Sequence, residues 1–195
     1  MNRFLAVLLS IFLAVPAMAE SPSYNFIQAG YQSTDLDFRA GFDVDGDGYG
    51  LGGSFEIGDH VFVFASYVRS EFDFGVDLNQ LQAGLGYHLG LTDNTDFFAS
   101  LAYVDAELEA KGDRGFGSAD DSGYGATIGL RSNVSDLIEL FGEIAYVDFG
   151  DGGDGTAIGG GIWFNLTDSF ALGLGAAADD DVTSYGASAR LYFGK

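Results

Sequence analysis

Residues 78–89 read LNQLQAGLGYHL, with Leu81, Ala83, Leu85, Tyr87 and Leu89 on one parity and Gln80, Gln82, Gly84, Gly86 and His88 on the other. A repeat of two belongs to a strand with one apolar face and is incompatible with an amphipathic helix, whose repeat is about 3.6 residues. The alternation returns at 48–57, 123–131 and 184–193, always with glycine, hydroxyl, amide or charged residues opposing an apolar row. Pro16 and Pro22 are the only prolines, so nothing further along interrupts a sheet. The pattern predicts strands over 24–34, 46–57, 60–71, 76–89, 96–108, 122–131, 137–148, 155–165, 169–178 and 184–193. Three of them, 60–71, 96–108 and 137–148, alternate less cleanly, because Phe62, Phe64, Phe98, Leu140 and Ile144 blur the two faces. Ten strands is the expected count, with eight as the alternative.

The connections fall into two kinds. Short turns are expected at Gly58-Asp59, Leu91 to Thr95, Ser132 to Asp136 and Leu166 to Ser169. The others, 35–45, 72–75, 109–121, 149–154 and 179–183, are mostly longer and more acidic. Longer and shorter links alternate along the chain, as in an all-β, closed antiparallel transmembrane β-barrel with both termini on one side.

The second face chooses the solvent. A soluble sandwich also alternates, but Gly48, Gly50, Gly52, Gly123 and Gly125 would solvate its outside poorly. Inside a small barrel the same glycines leave room for polar side chains. Glu56, Gln80, Gln82, Thr127, Arg131, Glu139, Glu143 and Arg190 are the interior candidates, with the arginines pairing the glutamates. Tyr31, Tyr49, Tyr67, Tyr87, Tyr103, Tyr124, Tyr146 and Trp163 are expected in interfacial aromatic girdles.

The start of the chain fits export. Arg3 precedes an apolar run over 4–15, and Ala17-Met18-Ala19 offers small residues for cleavage after Ala19. The run is too short for a spanning helix of about 20 residues. A signal peptide over 1–19 and one barrel domain over 20–195 are expected. The chain has 29 acidic and 8 basic residues and a formal net charge of −21, and cleavage would remove Arg3 but no acid. Such a charge excludes nucleic acid as a partner. With no cysteine, disulfides, thiol nucleophiles and thiolate metal sites are excluded too. The 18 phenylalanines and ten tyrosines argue against disorder.

SYNFIQAGY at 23–31, DVDGDGYGLGGSFEIGD at 43–59 and FVFASYVR at 62–69 resemble small bacterial outer-membrane barrels of the OmpA/OmpX-like type. They look most like the porin-like outer membrane beta-barrel proteins of Gammaproteobacteria. The final strand, YGASARLYF at 185–193, is similar to their assembly signal, although Gly194 and Lys195 follow the aromatic. The resemblance implies a Gram-negative outer-membrane location, insertion by the barrel-assembly machinery, contact with lipid and lipopolysaccharide, and a monomer.

Asp43, Asp45 and Asp47, followed by Gly48, match the first half of a calcium loop, in which alternate oxygens converge on one cation as a glycine turns the chain. The twelfth position is Ser54 where an acidic ligand belongs, so a solvated rim is the competing reading and any Ca²⁺ or Mg²⁺ binding would be weak. Asp120, Asp121, Asp148, Asp151, Asp154 and Asp179 to Asp181 are expected at the same rim. Divalent ions bridging that rim to lipopolysaccharide is the surface role this suggests. No catalytic residue is assigned. An outer-membrane lipid-modifying enzyme would need His60 or His88 beside a partner such as Ser100 or Asp59. A ten-stranded lumen plugged by side chains leaves at most a narrow cation-preferring pore.

Overall fold

The computed structural model describes residues 21–38, 42–112, 115–179 and 182–194. The leader expected over 1–19, and Asp180 and Asp181, lie outside the described residues. The strands are β1 (Phe26–Phe38), β2 (Phe42–Ile57), β3 (Val61–Phe72), β4 (Val76–Thr92), β5 (Thr95–Gly112), β6 (Gly115–Asn133), β7 (Ile138–Asp148), β8 (Asp154–Thr167), β9 (Phe170–Ala178) and β10 (Val182–Tyr192). Each pairs antiparallel with its chain neighbours, and β10 returns to β1 to close a ten-stranded barrel. Closure satisfies the backbone of every strand and leaves no edge, as a wall in hydrocarbon requires.

Four short turns lie at one end, where β2–β3, β4–β5, β6–β7 and β8–β9 meet. Gly58 takes φ 73° in the first of these. At the far end β3–β4 pass through a single 3-10 turn, Asp73–Gly75, and β7–β8 through another, Gly150–Gly152.

Two segments expected as loops are walls instead. β1 and β2 stay in register as far as Phe38↔Phe42, and β5 and β6 as far as Gly112↔Gly115. The expected loops 35–45 and 109–121 are therefore mostly paired ribbon. Aspartate and glycine are poor strand formers. Here the ribbon continues a ladder already nucleated by the wall, and no proline interrupts it.

The apolar parity faces out. Leu101 is 70% exposed and Tyr124 73%, and Leu51, Leu85, Ile128 and Ile158 stand on the same surface. Paired tyrosines, Tyr31↔Tyr49 and Tyr103↔Tyr124, mark its upper margin. An apolar belt of this extent calls for lipid as its solvent. Trp163 departs from the expected girdle: it is 5% exposed and points into the lumen.

The inner parity has its own rule: aromatic rings lie over the glycine directly opposite on the next strand. Phe62 pairs with Gly86, Phe64 with Gly84, Phe98 with Gly129, Phe141 with Gly161 and Trp163 with Gly173. A β-carbon built on Gly173 would lie 2.6 Å from the Trp163 ring, one on Gly129 2.6 Å from the Phe98 ring, and one on Gly161 2.7 Å from Phe141. The mixed faces of β3 and β5 follow from this, since Phe62, Phe64 and Phe98 belong to the interior filling.

Gly173→Ala forces the Trp163 ring off its seat and is expected to cost about 1–3 kcal/mol. It will show as a lower urea midpoint for the detergent-folded barrel. Gly155→Ala, with nothing within 4 Å of the added carbon, should stay within about 0.5 kcal/mol of the parent.

Candidate functional site

Residues 21–25 precede β1 and cross the turn-end mouth. The Ser21 hydroxyl donates to the Asp93 carbonyl at 3.2 Å, the Glu56 amide to Asn25 Oδ1 at 2.8 Å, and the Phe193 amide to the Asn25 carbonyl at 3.1 Å. Tyr24, expected in the first strand, is instead folded into the lumen, 3% exposed. Its ring stacks on Phe62 at 4.7 Å and on His88 at 4.1 Å.

Two arginines complete the floor. Arg131 lies 4.6 Å from the Tyr24 ring centroid and donates from Nε to Glu139 Oε1 at 2.8 Å. The Arg190 guanidinium is sandwiched between Trp163 at 3.7 Å and Phe26 at 3.9 Å. Arg190 donates to Gln28 Oε1 from Nε at 3.1 Å and from Nη2 at 2.7 Å. Glu139, 1% exposed, also accepts from the Tyr192 hydroxyl at 3.2 Å. The expected pairing of both arginines with glutamates is met through this one carboxylate, which Arg190 approaches to 3.8 Å.

His88 sits beside the floor with Nε2 3.1 Å from Glu56 Oε1 and Nδ1 3.3 Å from Asp96 Oδ2. Both ring nitrogens thus face carboxylates, and neither Ser100 nor Asp59 is its partner. His60 is exposed at the β2–β3 turn. Phe26, Glu56, Phe62, His88, Asp96, Arg131, Glu139, Trp163, Ala171 and Arg190 bring one side chain from every strand into this layer, which fills the lumen near the turns.

Above the floor the lumen opens into a cavity of about 470 Å³, walled by residues such as Gln28, Gln82, Ser66, Ser100, Thr127 and Glu143. A second space of about 330 Å³ shares Gln32 and Ser184 with the first and reaches Asp179 at the ribbon end.

The aspartates of the sequence motif lie elsewhere, on the outside. Asp45 pairs across with Asp35, and Asp47 with Ser33 on one side and Glu71 on the other. Gly48 continues the strand, paired with Gln32 and Ser70. In an extended chain alternate residues stand about 6.6 Å apart, so Asp45 and Asp47 share a face without converging as in a calcium loop. The Asp43 backbone pairs with Asp37, and its side chain lies outside the described residues. No group of three acidic or histidine side chains placed to hold one metal ion occurs among the described residues. Sequence reasoning missed the floor residues Tyr24, Phe26, Trp163 and Tyr192; parity alone would have put Trp163 with Gly159 and Gly161, on the inner face.

Residues 5–193 match the profile described as outer membrane protein beta-barrel domain. Among solved structures, the chain is similar to Neisserial surface protein A at 14% identity and a TM-score of 0.51, covering 88% of this chain and 98% of that one. The translocator domain of the autotransporter NalP from Neisseria meningitidis aligns at 11% identity and a TM-score of 0.55, over 98% of this chain and 94% of that one. The transport unit of the autotransporter AIDA-I from Escherichia coli gives 11% and 0.55, over 95% and 94%. These likenesses concern the fold. No curated protein sequence matches the chain.

Glu139→Gln leaves two buried guanidiniums without their shared carboxylate, a loss expected to cost about 3–5 kcal/mol. A urea titration of the detergent-folded barrel, with the unboiled gel shift as the folding check, measures it.

Proposed function

The chain belongs to the outer membrane protein beta-barrel family, and from that premise we propose that it is a non-enzymatic, closed barrel whose acidic ribbons engage lipopolysaccharide through divalent cations. The observation that carries this reading is which face the ribbon carboxylates occupy. Asp35 and Asp45 stand directly opposite each other on the parity of Tyr31 and Tyr49, and Glu107 and Asp120 do so on the parity of Tyr103 and Tyr124. That surface continues the lipid-facing belt upward, so these groups lie level with headgroups rather than over the lumen.

Like charges in direct cross-strand pairs destabilise a ribbon by up to about 1 kcal/mol each. A divalent cation between the strands offsets that, and its remaining coordination sites take phosphate oxygens. In this reading Asp43, Asp45 and Asp47 act with Asp35 across the ribbon and not as one loop. Arg69, on the same outer face, is already held by Asp77 at 3.0 Å and Glu71 at 3.6 Å, so it does little to balance them. The floor supports a closed lumen over a pore. Closure leaves no strand edge for a second copy to pair with, which favours a monomer, and β10, with Tyr185, Ala187, Ala189 and Leu191 on the outer parity and Phe193 just past its end, supports recognition by the barrel-assembly machinery.

Magnesium added to the barrel in lipopolysaccharide-containing micelles is expected to raise its melting temperature by about 2–4 °C, equivalent to about 1 kcal/mol for a domain of this size. Asp35→Asn with Asp45→Asn should reduce the rise. A melt that does not move at millimolar magnesium sinks the proposal.

A further inference from the structure

Glu143 projects from β7 into the cavity above the floor. It makes no hydrogen bond or ion pair among the described residues, unlike Glu139 four residues before it. Its surroundings are specific. Gly129 lies directly opposite on β6 and is covered by the Phe98 ring. On β8 the opposite residue is Gly159, whose missing side chain leaves the carboxylate reachable. Phe141, two residues along the same inner face, spreads its ring over Gly161 and Gly175. Across the ring of ten strands, on β2, the buried Ser54 hydroxyl also lines the cavity with no hydrogen-bond partner.

Arg131 lines the same cavity and acts on Glu143 only through space, so the carboxylate has no hydrogen-bond donor of its own, and a bound cation can supply one. Aromatic faces beside it favour a cation with an organic body, because a ring attracts an ammonium within about 6 Å of its centroid. At about 470 Å³ the cavity is in the usual range for small-molecule sites, roughly 300–1,000 Å³. The chain's net charge of −21 raises the local concentration of cations around it. We propose that the lumen is a dead-end receptor for a small organic ammonium ion, which enters from the ribbon end, pairs with Glu143 and rests against Phe98 and Phe141. Ser54 supplies a hydroxyl to a polar group at the ligand's far end. The proposal concerns the inside of the barrel and stands apart from the ribbon-face reading.

Trp163 is the sole tryptophan of the chain and lines the same cavity, so its fluorescence reports occupancy directly. The test titrates detergent-folded, full-length protein with benzylamine, with benzyl alcohol as the uncharged control and potassium chloride as the inorganic one. Benzylamine is expected to give a saturable change that neither control gives. Glu143→Gln, shown to be folded by its unboiled gel shift, should weaken it at least about tenfold. Should that variant fail to fold, Glu143→Asp takes its place, and benzylamine is expected to bind it with altered affinity. No saturable change with benzylamine overturns the proposal. So does an equal response to benzyl alcohol or to potassium, or unaltered binding by both variants.

Discussion

The inside of this barrel rests on one contact, an aromatic ring lying flat against a glycine on the neighbouring strand. Ten strands leave a lumen wider than one layer of ordinary side chains fills. Rings reaching inward need somewhere to lie, and Gly84, Gly86, Gly129, Gly161 and Gly173 provide it by having no β-carbon in the way. Rings seated this way turn a wide tube into one with a solid floor. Glycine costs backbone entropy, and ring burial at about 25 cal/mol per Å² offsets it.

The floor in turn makes buried charge tolerable. Arg190 between Trp163 and Phe26, and Arg131 over Tyr24, have aromatic faces in place of water. Glu139 supplies the opposite charge to both, and Gln28 and Tyr192 take remaining hydrogen bonds. An isolated buried ion pair is often no more stable than an apolar replacement. Here the network also fixes the rotamers of the rings that close the lumen. Glu143 makes none of these hydrogen bonds, although Arg131 and Arg190 form the bottom of the cavity it faces.

Much of this was legible in the sequence. Period-two patterning carried the closed all-β architecture and the strand count, and it sorted Glu56, Gln82, Arg131 and Arg190 onto the inner face, with Glu139 and Glu143 as interior candidates on a strand whose alternation is blurred. What failed did so for identifiable reasons. Runs such as DVDGDG read as loop by composition, but pairing with an established neighbour strand overrides residue preference, and β1–β2 carries on to Phe42. Trp163 was placed by residue type, as an interfacial aromatic, although its parity pointed inward. The ring-over-glycine contacts depend on register, which links Phe98 to Gly129 across thirty intervening positions; a single sequence does not encode that offset visibly. The inward fold of Tyr24 depends on groups from three strands, Phe62 on β3, His88 on β4 and Arg131 on β6, with nothing local to signal it.

The central claim is that this aromatic and arginine floor closes the barrel at its turn end. Single-channel recording of the folded protein in a planar bilayer tests it most directly. The unmodified protein is expected to leave the membrane silent. Stable, uniform conductance steps from that protein, present in every folded preparation and absent from boiled controls, would contradict it.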